Sequence, residues 1–191
     1  MALQDKEKWN KKYQETPSLT KDRQASKKLT SALNYVKIKQ KALDVACGTG
    51  RNSIYLSKQG FEVDAIDISE VAIEILNEKK IKKINTKVVD LDTHIPVKEQ
   101  YDLIVMSNFL DRDMIGNLKE SLRKDGVLVV ETYMHHEINT KKSSNPDFLL
   151  KEGELKNFLD EKFELIEYDE FDNEDSELYK MRKQSIIFKK K

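Results

Sequence analysis

Lys41-Ala42-Leu43-Asp44-Val45-Ala46-Cys47-Gly48-Thr49-Gly50-Arg51-Asn52-Ser53 reads as a buried strand, a turn of small residues and the start of a helix. Leu43 and Val45 supply the apolar strand. Ala46, Gly48 and Gly50 keep bulky side chains out of the turn, so a ligand can lie against bare backbone. From Arg51 the spacing becomes helical, with Ile54, Tyr55 and Leu56 on or near one face. The unpaired N–H groups of that helix start point back into the turn. A strand, glycine turn and helix near the head of an α/β chain is where such folds hold a nucleotide.

Strand and helix signals alternate outward from this stretch. Ahead of it, Trp9 and Tyr13 lie four apart on a short amphipathic helix within residues 1–15, which Pro17 ends. A second helix is predicted from about Asp22 to Tyr35, with Ala25, Leu29, Ala32 and Leu33 inward and Asp22 or Thr20 as its cap. Behind it, the helix from Arg51 runs to Gln59 and stops at Gly60. Phe61–Ile66 is the next strand, and Ser69 caps a helix through about Lys80. Thr86–Val89 and Tyr101–Met106 follow as strands, the latter apolar enough for a sheet buried on both faces. A helix from about Met114 to Arg123, a turn at Asp125-Gly126 and a strand at Val127–Thr132 complete the alternation. The order predicts an α/β, doubly wound, Rossmann-like parallel sheet. The tail differs. A short helix near Glu152–Leu159 precedes a strand at Phe163–Tyr168, an acidic turn at Asp169–Glu177 and a strand at Leu178–Phe188. Two strands joined by a loop should pair antiparallel, which makes the sheet mixed.

The 191 residues suffice for one domain with a substantial core. Charged residues make up 36% and hydrophobic residues 38%, the balance of a globular chain with a highly charged surface. Lys+Arg and Asp+Glu are equal at 34 each, which argues against a general nucleic-acid binder. The single cysteine, Cys47, excludes an intrachain disulfide and suits a reducing cytoplasm, the expected location. MALQDKEKWNKK has no apolar core and does not read as a signal peptide. No apolar run approaches the roughly 18 residues of a membrane helix. The expected partner is a small molecule, with neither nucleic acid nor membrane, and the oligomeric state is left open.

Asp44 bears on which nucleotide is held. A dinucleotide fold prefers G-x-G-x-x-G under the pyrophosphate; here Ser53 stands at the third small position, and Asp44 adds a carboxylate near the strand end. A carboxylate is unhelpful to pyrophosphate and suits a ligand with an ammonium or sulfonium. Asp67 ends the next strand, where an acidic side chain can take two ribose hydroxyls. Asp90 follows the third strand and can accept from an adenine amine. Asp64 and Asp92 read as surface or turn residues, and Cys47 as small-residue packing rather than a nucleophile.

Leu43-Asp44-Val45-Ala46-Cys47-Gly48-Thr49-Gly50, Val63-Asp64-Ala65-Ile66-Asp67-Ile68-Ser69 and Val89-Asp90-Leu91 together resemble the S-adenosylmethionine-binding core of class I methyltransferases. Trp9-Asn10-Lys11-Lys12-Tyr13, Gly50-Arg51-Asn52-Ser53, Asn108-Phe109-Leu110-Asp111-Arg112 and Asn145-Pro146-Asp147-Phe148-Leu149-Leu150 resemble the bacterial small-molecule branch related to tellurite-resistance and thiopurine methyltransferases. The resemblance implies a three-layer α/β/α fold with a seven-stranded sheet, strand seven antiparallel. It implies S-adenosyl-L-methionine as cofactor, held by Trp9, Asp44, Ala46, Cys47, Gly48, Gly50, Asn52, Asp67, Ile68, Asp90, Leu91 and Ser107. Asn108, Phe109, Tyr133 and His135 are the methyl-face candidates. Within a single domain of residues 1–191, residues 1–36 would cover the cofactor site. Residues 40–135 would form its core, and residues 136–191 the substrate loop and C-terminal hairpin, with Asn145–Phe148 closing over substrate.

The expected activity is methyl transfer to a small soft or anionic nucleophile: a thiol, an oxyanion or a chalcogen oxyanion. No convincing general base stands out, and such acceptors need none. The alternatives are a non-catalytic S-adenosylmethionine-binding sensor or partner protein, and an NAD-dependent oxidoreductase. His135-His136 cannot both face one site from a regular element, so no metal is expected.

Overall fold

Residues 2–141, 145–173 and 179–191 are described by a computed structural model of the protein. They form seven strands: β1 (Lys41–Val45), β2 (Glu62–Asp67), β3 (Ile84–Val88), β4 (Tyr101–Ser107), β5 (Leu122–Tyr133), β6 (Phe163–Asp172) and β7 (Arg182–Lys190). All lie in one sheet of order β3-β2-β1-β4-β5-β7-β6. The links among β1 to β5 are parallel, and β7 runs antiparallel to both β5 and β6. Six α-helices accompany them: α1 (Ala2–Glu15), α2 (Pro17–Thr20), α3 (Lys27–Ala32), α4 (Arg51–Lys58), α5 (Glu70–Glu78) and α6 (Arg112–Ser121). No helix among the described residues is long and apolar enough to cross a membrane.

The period of two in the central strands divides the core into two faces. Leu43, Val45, Ile104, Met106, Leu128 and Val130 pack with Met114, Ile115 and Leu118 of α6 on one side. Val63, Leu103, Val105 and Val129 pack with Leu29 and Ala32 of α3 and Leu56 of α4 on the other. The result is the three-layer, doubly wound sheet the sequence predicts, with strand seven antiparallel. At about 25 cal/mol per Å² of apolar surface removed from water, these two layers are the main stabilising term.

Several boundaries move, each for a local reason. The second helix begins at Lys27, because the Ser26 hydroxyl accepts the N–H groups of Lys28 and Leu29. Asp22 pairs instead with Lys79 at 2.7 Å. The last turn of that helix, Leu33–Tyr35, is 3₁₀. Asp125-Gly126 is an irregularity inside β5 rather than a turn before it: Asp125 has φ 64°, and the register against β4 shifts between Tyr101 and Leu103. The short helix of the tail is a 3₁₀ turn over Glu154–Phe158. β6 continues through the first acidic residues to Asp172, because β7 pairs with it as far as Arg182. The rest of the expected acidic turn and the start of the last strand fall partly on residues 174–178, which lie outside the described residues, as do residues 142–144 of the expected loop. Lys189 and Lys190 belong to β7, and Lys189 reaches Asp125 at 3.2 Å.

Candidate active site

The turn after β1 takes its shape from its small residues. Gly48 and Gly50 have φ 55° and 82°, left-handed values that cost a side chain free energy. Each also admits a neighbour. A Cβ on Gly50 would lie 2.4 Å from Leu76 Cδ1 of α5, and one on Gly48 would lie 2.5 Å from the Tyr13 hydroxyl. Ala46 shares the left-handed conformation at φ 54°. Cys47 donates its N–H to the Ile66 carbonyl and packs with Ala65, Ile73 and Leu76. Burial, with Asp44 and Asp67 nearby, pushes its thiol well above the usual range, which disfavours nucleophilic use.

Asp67 is the centre of the site. Its carboxylate accepts the N–H of Gly48 and of Ser69, each at 2.8 Å, and so ties the glycine turn to the start of α5. Burial raises its pKa, while these backbone donors hold it down. Asp44 is 1% exposed and accepts the Ser53 hydroxyl at 2.5 Å. Burial pushes it up to about 7, against the opposing pull of Ser53 and Arg51. A cation bound nearby would favour its charged form.

Ser107 ends β4, and its hydroxyl accepts from the Arg51 guanidinium at 3.0 Å. Asn108 follows with φ 60°, donates its N–H to the Glu131 carbonyl at 2.8 Å, and buries an Oδ1 that has no hydrogen-bond partner among the described residues. Phe109 packs against the hydrophobic core. Asp90 accepts the Asp92 N–H at 3.1 Å, and the Leu91 side chain is buried in the core. Asn52 is engaged elsewhere: its Oδ1 accepts the N–H of Ser26, tying α4 to the entry of α3. His135 is exposed, with its N–H on the Leu150 carbonyl. Asp64 lies further back along β2, paired with Lys41 at 3.1 Å and accepting the Tyr101 hydroxyl at 2.8 Å.

The sequence reading missed a buried pair beside these residues. Glu131, at the carboxyl end of β5, meets the Lys183 ammonium of β7 at 3.3 Å, with both side chains under a tenth exposed. The Ser26 hydroxyl also donates to Glu131. Lys183 lies under Tyr133, 4.9 Å from the ring centroid. Glu131 is opposite Ser107 in register and therefore shares its face of the sheet. The available signal was the alternation Val127, Val129, Glu131: a carboxylate at an inward position.

α1 roofs the turn. Asn10 Oδ1 accepts the Ser69 hydroxyl at 2.8 Å and the Val71 N–H at 3.4 Å, and Lys6 pairs with Glu70. Tyr13, rather than Trp9, lies directly on Gly48; Trp9 stands 6.0 Å from Tyr13 between ring centroids. A second wall is the segment around Phe148. Arg112 forks onto Glu154 at 2.6 and 3.3 Å and onto the carbonyls of Asp147 and Leu149 at 2.7 and 3.4 Å. This clamp holds Phe148 half exposed, with the Lys8 ammonium 5.9 Å from its ring centroid.

A glycine turn after β1, acidic residues ending or following β1 to β3, and a lone antiparallel β7 define the fold of class I methyltransferases. The chain belongs to the TehB family: the family model described as "Tellurite resistance protein TehB" matches residues 1–189. It is 35% identical over 143 residues to "Probable S-adenosyl-L-methionine-dependent methyltransferase TehB" of Haemophilus influenzae, an alignment that covers 68% of this chain and 48% of that protein. The chain thus spans about half the length of that relative. It is 39% identical over 104 residues to a ribosomal protein L11 methyltransferase of Campylobacter concisus, covering 50% of this chain and 36% of that one. The crystal structure of TehB from Haemophilus influenzae superposes with a TM-score of 0.72 at 28% identity, covering 97% of this chain and 67% of that one.

Proposed function

We propose that the protein is an S-adenosyl-L-methionine-dependent methyltransferase acting in the cytoplasm on a small molecule whose nucleophile arrives as a soft centre or an anion. The TehB family match and the relatives' names support the cofactor. The observation that carries the reading is Asp67 holding the glycine turn while keeping acceptor capacity. Each carboxylate oxygen has two lone pairs, and one on each is used by Gly48 or Ser69, so one on each is left for a ribose hydroxyl. The orphaned Asn108 Oδ1 and the bare Gly48 also fit a ligand seated across the ends of β1 and β4.

In this reading residues 1–36 cover the site, residues 40–135 bind the cofactor and residues 136–191 shape the acceptor side. When bound, the cofactor supplies a methyl group activated on a sulfonium. The chain's own residues do the rest. Asp67 orients the ribose, Asp90 offers an acceptor to the adenine amine, and Asp44 provides negative charge beneath a cationic ligand. Trp9, Tyr13 and α1 exclude water, while Asn108, Phe109 and Tyr133 wall the acceptor side. The buried carboxylates at this edge are each engaged: Asp44 with Ser53, Asp67 with backbone amides, Glu131 with Lys183 and Ser26. With these carboxylates given over to such partners and to the cofactor, the reading favours an acceptor that reacts already deprotonated.

The test is release of S-adenosylhomocysteine on a panel of thiols, oxyanions and amines. Turnover is expected with thiols or oxyanions in preference to amines of similar size. Binding of S-adenosylmethionine with no turnover on any acceptor would favour a sensor, and preference for amines would contradict the proposed acceptor class.

A further inference from the structure

α1 carries four lysines, and they divide by side. Lys6 pairs with Glu70 and Lys11 with Glu15, at 3.9 Å for the latter. Lys8 and Lys12 lie one turn apart on the same flank of the helix, away from Lys6 and Asn10. Neither has a carboxylate within ion-pair distance among the described residues. Each stands over an aromatic ring instead: Lys8 over Phe148 at 5.9 Å and Lys12 over Trp9 at 4.4 Å from the centroids. Lys141, whose charge acts on Lys12, has no carboxylate within ion-pair distance among the described residues and stands 5.2 Å from the ring centroid of Tyr179.

We propose that Lys8, Lys12 and Lys141 form a cationic rim that captures an anionic acceptor at the mouth between α1 and the Phe148 segment. This rests on the function proposed above and assigns residues to the recognition of that acceptor's charge.

Three physical points support it. First, like charges gathered without counter-ions destabilise a fold, and the chain is neutral overall, with 34 residues of each sign. An anion completes what the described residues leave uncompensated. Burial, then the charges of Lys141 and Lys8, hold the Lys12 ammonium below the usual lysine range, so these groups feel one another. Second, the rings fix the ammonium groups without neutralising them. Third, the rim lies on the acceptor side. The opposite flank of α1, through Asn10 and Tyr13, sits on α5 and the glycine turn. The Lys8 flank meets Phe148, whose segment joins the strand end beyond Tyr133 through the His135–Leu150 and Leu150–Tyr133 backbone bonds.

Trp9 is the chain's one tryptophan, so its emission reports on the rim. The experiment titrates the protein loaded with S-adenosylhomocysteine with 2-mercaptoethanesulfonate or with 2-mercaptoethanol, two thiols of similar size with and without a negative charge. A saturable change in Trp9 emission is expected with the sulfonate and none with the neutral thiol. In K8M/K141M, which leaves Lys12 on the reporter, the apparent Kd should weaken at least about fivefold, and K8R/K141R should keep it within about twofold. Raising the salt from about 0.05 to about 0.5 M should weaken wild-type binding in the same direction. No saturable response to the sulfonate, an equal response to both thiols, or an unchanged Kd in K8M/K141M would overturn the rim. Binding of S-adenosylhomocysteine, followed separately by thermal shift, should be the same in all variants. Its absence from the wild type would instead count against the proposed function.

Discussion

Lys183→Met is expected to lower the free energy of unfolding by about 3–5 kcal/mol, the usual cost of removing one partner from a buried ion pair. The magnitude follows from what is left behind. Glu131 would keep its charge at 5% exposure with the Ser26 hydroxyl as its remaining side-chain donor among those described above. The double variant K183M/E131Q should recover most of the loss, because no bare charge remains. Urea denaturation measures both, and the single variant should melt roughly 6–20 °C lower for a chain of this size. A single variant within about 0.5 kcal/mol of wild type would show that the pair is not a buried charge pair in solution. The pair also links three elements at the acceptor side. Through Ser26 it joins the entry of α3, through the Glu131 carbonyl it receives the Asn108 N–H, and through Lys183 it supports Tyr133.

The second large effect is expected at Asp67. Asp67→Ala removes the proposed ribose acceptor and frees the N–H groups of Gly48 and Ser69. A hydrogen bond to a charged group is worth roughly 1.5–3 kcal/mol, so the affinity for S-adenosylmethionine should fall at least about tenfold, and further if both hydroxyls are lost. Asp64→Ala is the control. Asp64 sits three residues earlier in β2, where it serves Tyr101 and Lys41, and its loss should change affinity by less than about twofold. Isothermal titration of the three proteins decides the point; equal losses at both positions would undo the ribose assignment.

The fold was legible because its signals are local. Leu43 and Val45 followed by Gly48 and Gly50 announce a buried strand and a turn, and the apolar run of Tyr101–Met106 announces a second strand buried on both faces. Strand seven's direction followed from the absence of a crossover helix between the last two strands. What was not legible depends on contacts distant in sequence. Ser26, rather than Asp22, starts α3, because its hydroxyl and amide also serve Glu131 and Asn52, far away along the chain. β6 outruns its own acidic composition because β7 supplies a partner for each residue from Glu167 to Asp172. Trp9 and Tyr13 carry the same local pattern, and only the docking of Asn10 on Ser69 shows that Tyr13 is the one laid on Gly48. Glu131 and Lys183 each look like ordinary surface charges until β5 and β7 are placed side by side.

The Asp67 prediction rests on the identity of the ligand proposed to lie across the ends of β1, β2 and β4. The most direct test is a calorimetric titration of the purified protein with S-adenosylhomocysteine and, separately, with NAD. Saturable one-to-one binding of S-adenosylhomocysteine is expected, with stabilisation of about 2.7 kcal/mol when the ligand is present at about 100 times its Kd. NAD should give neither heat nor stabilisation. Binding of NAD in place of S-adenosylhomocysteine would contradict the account.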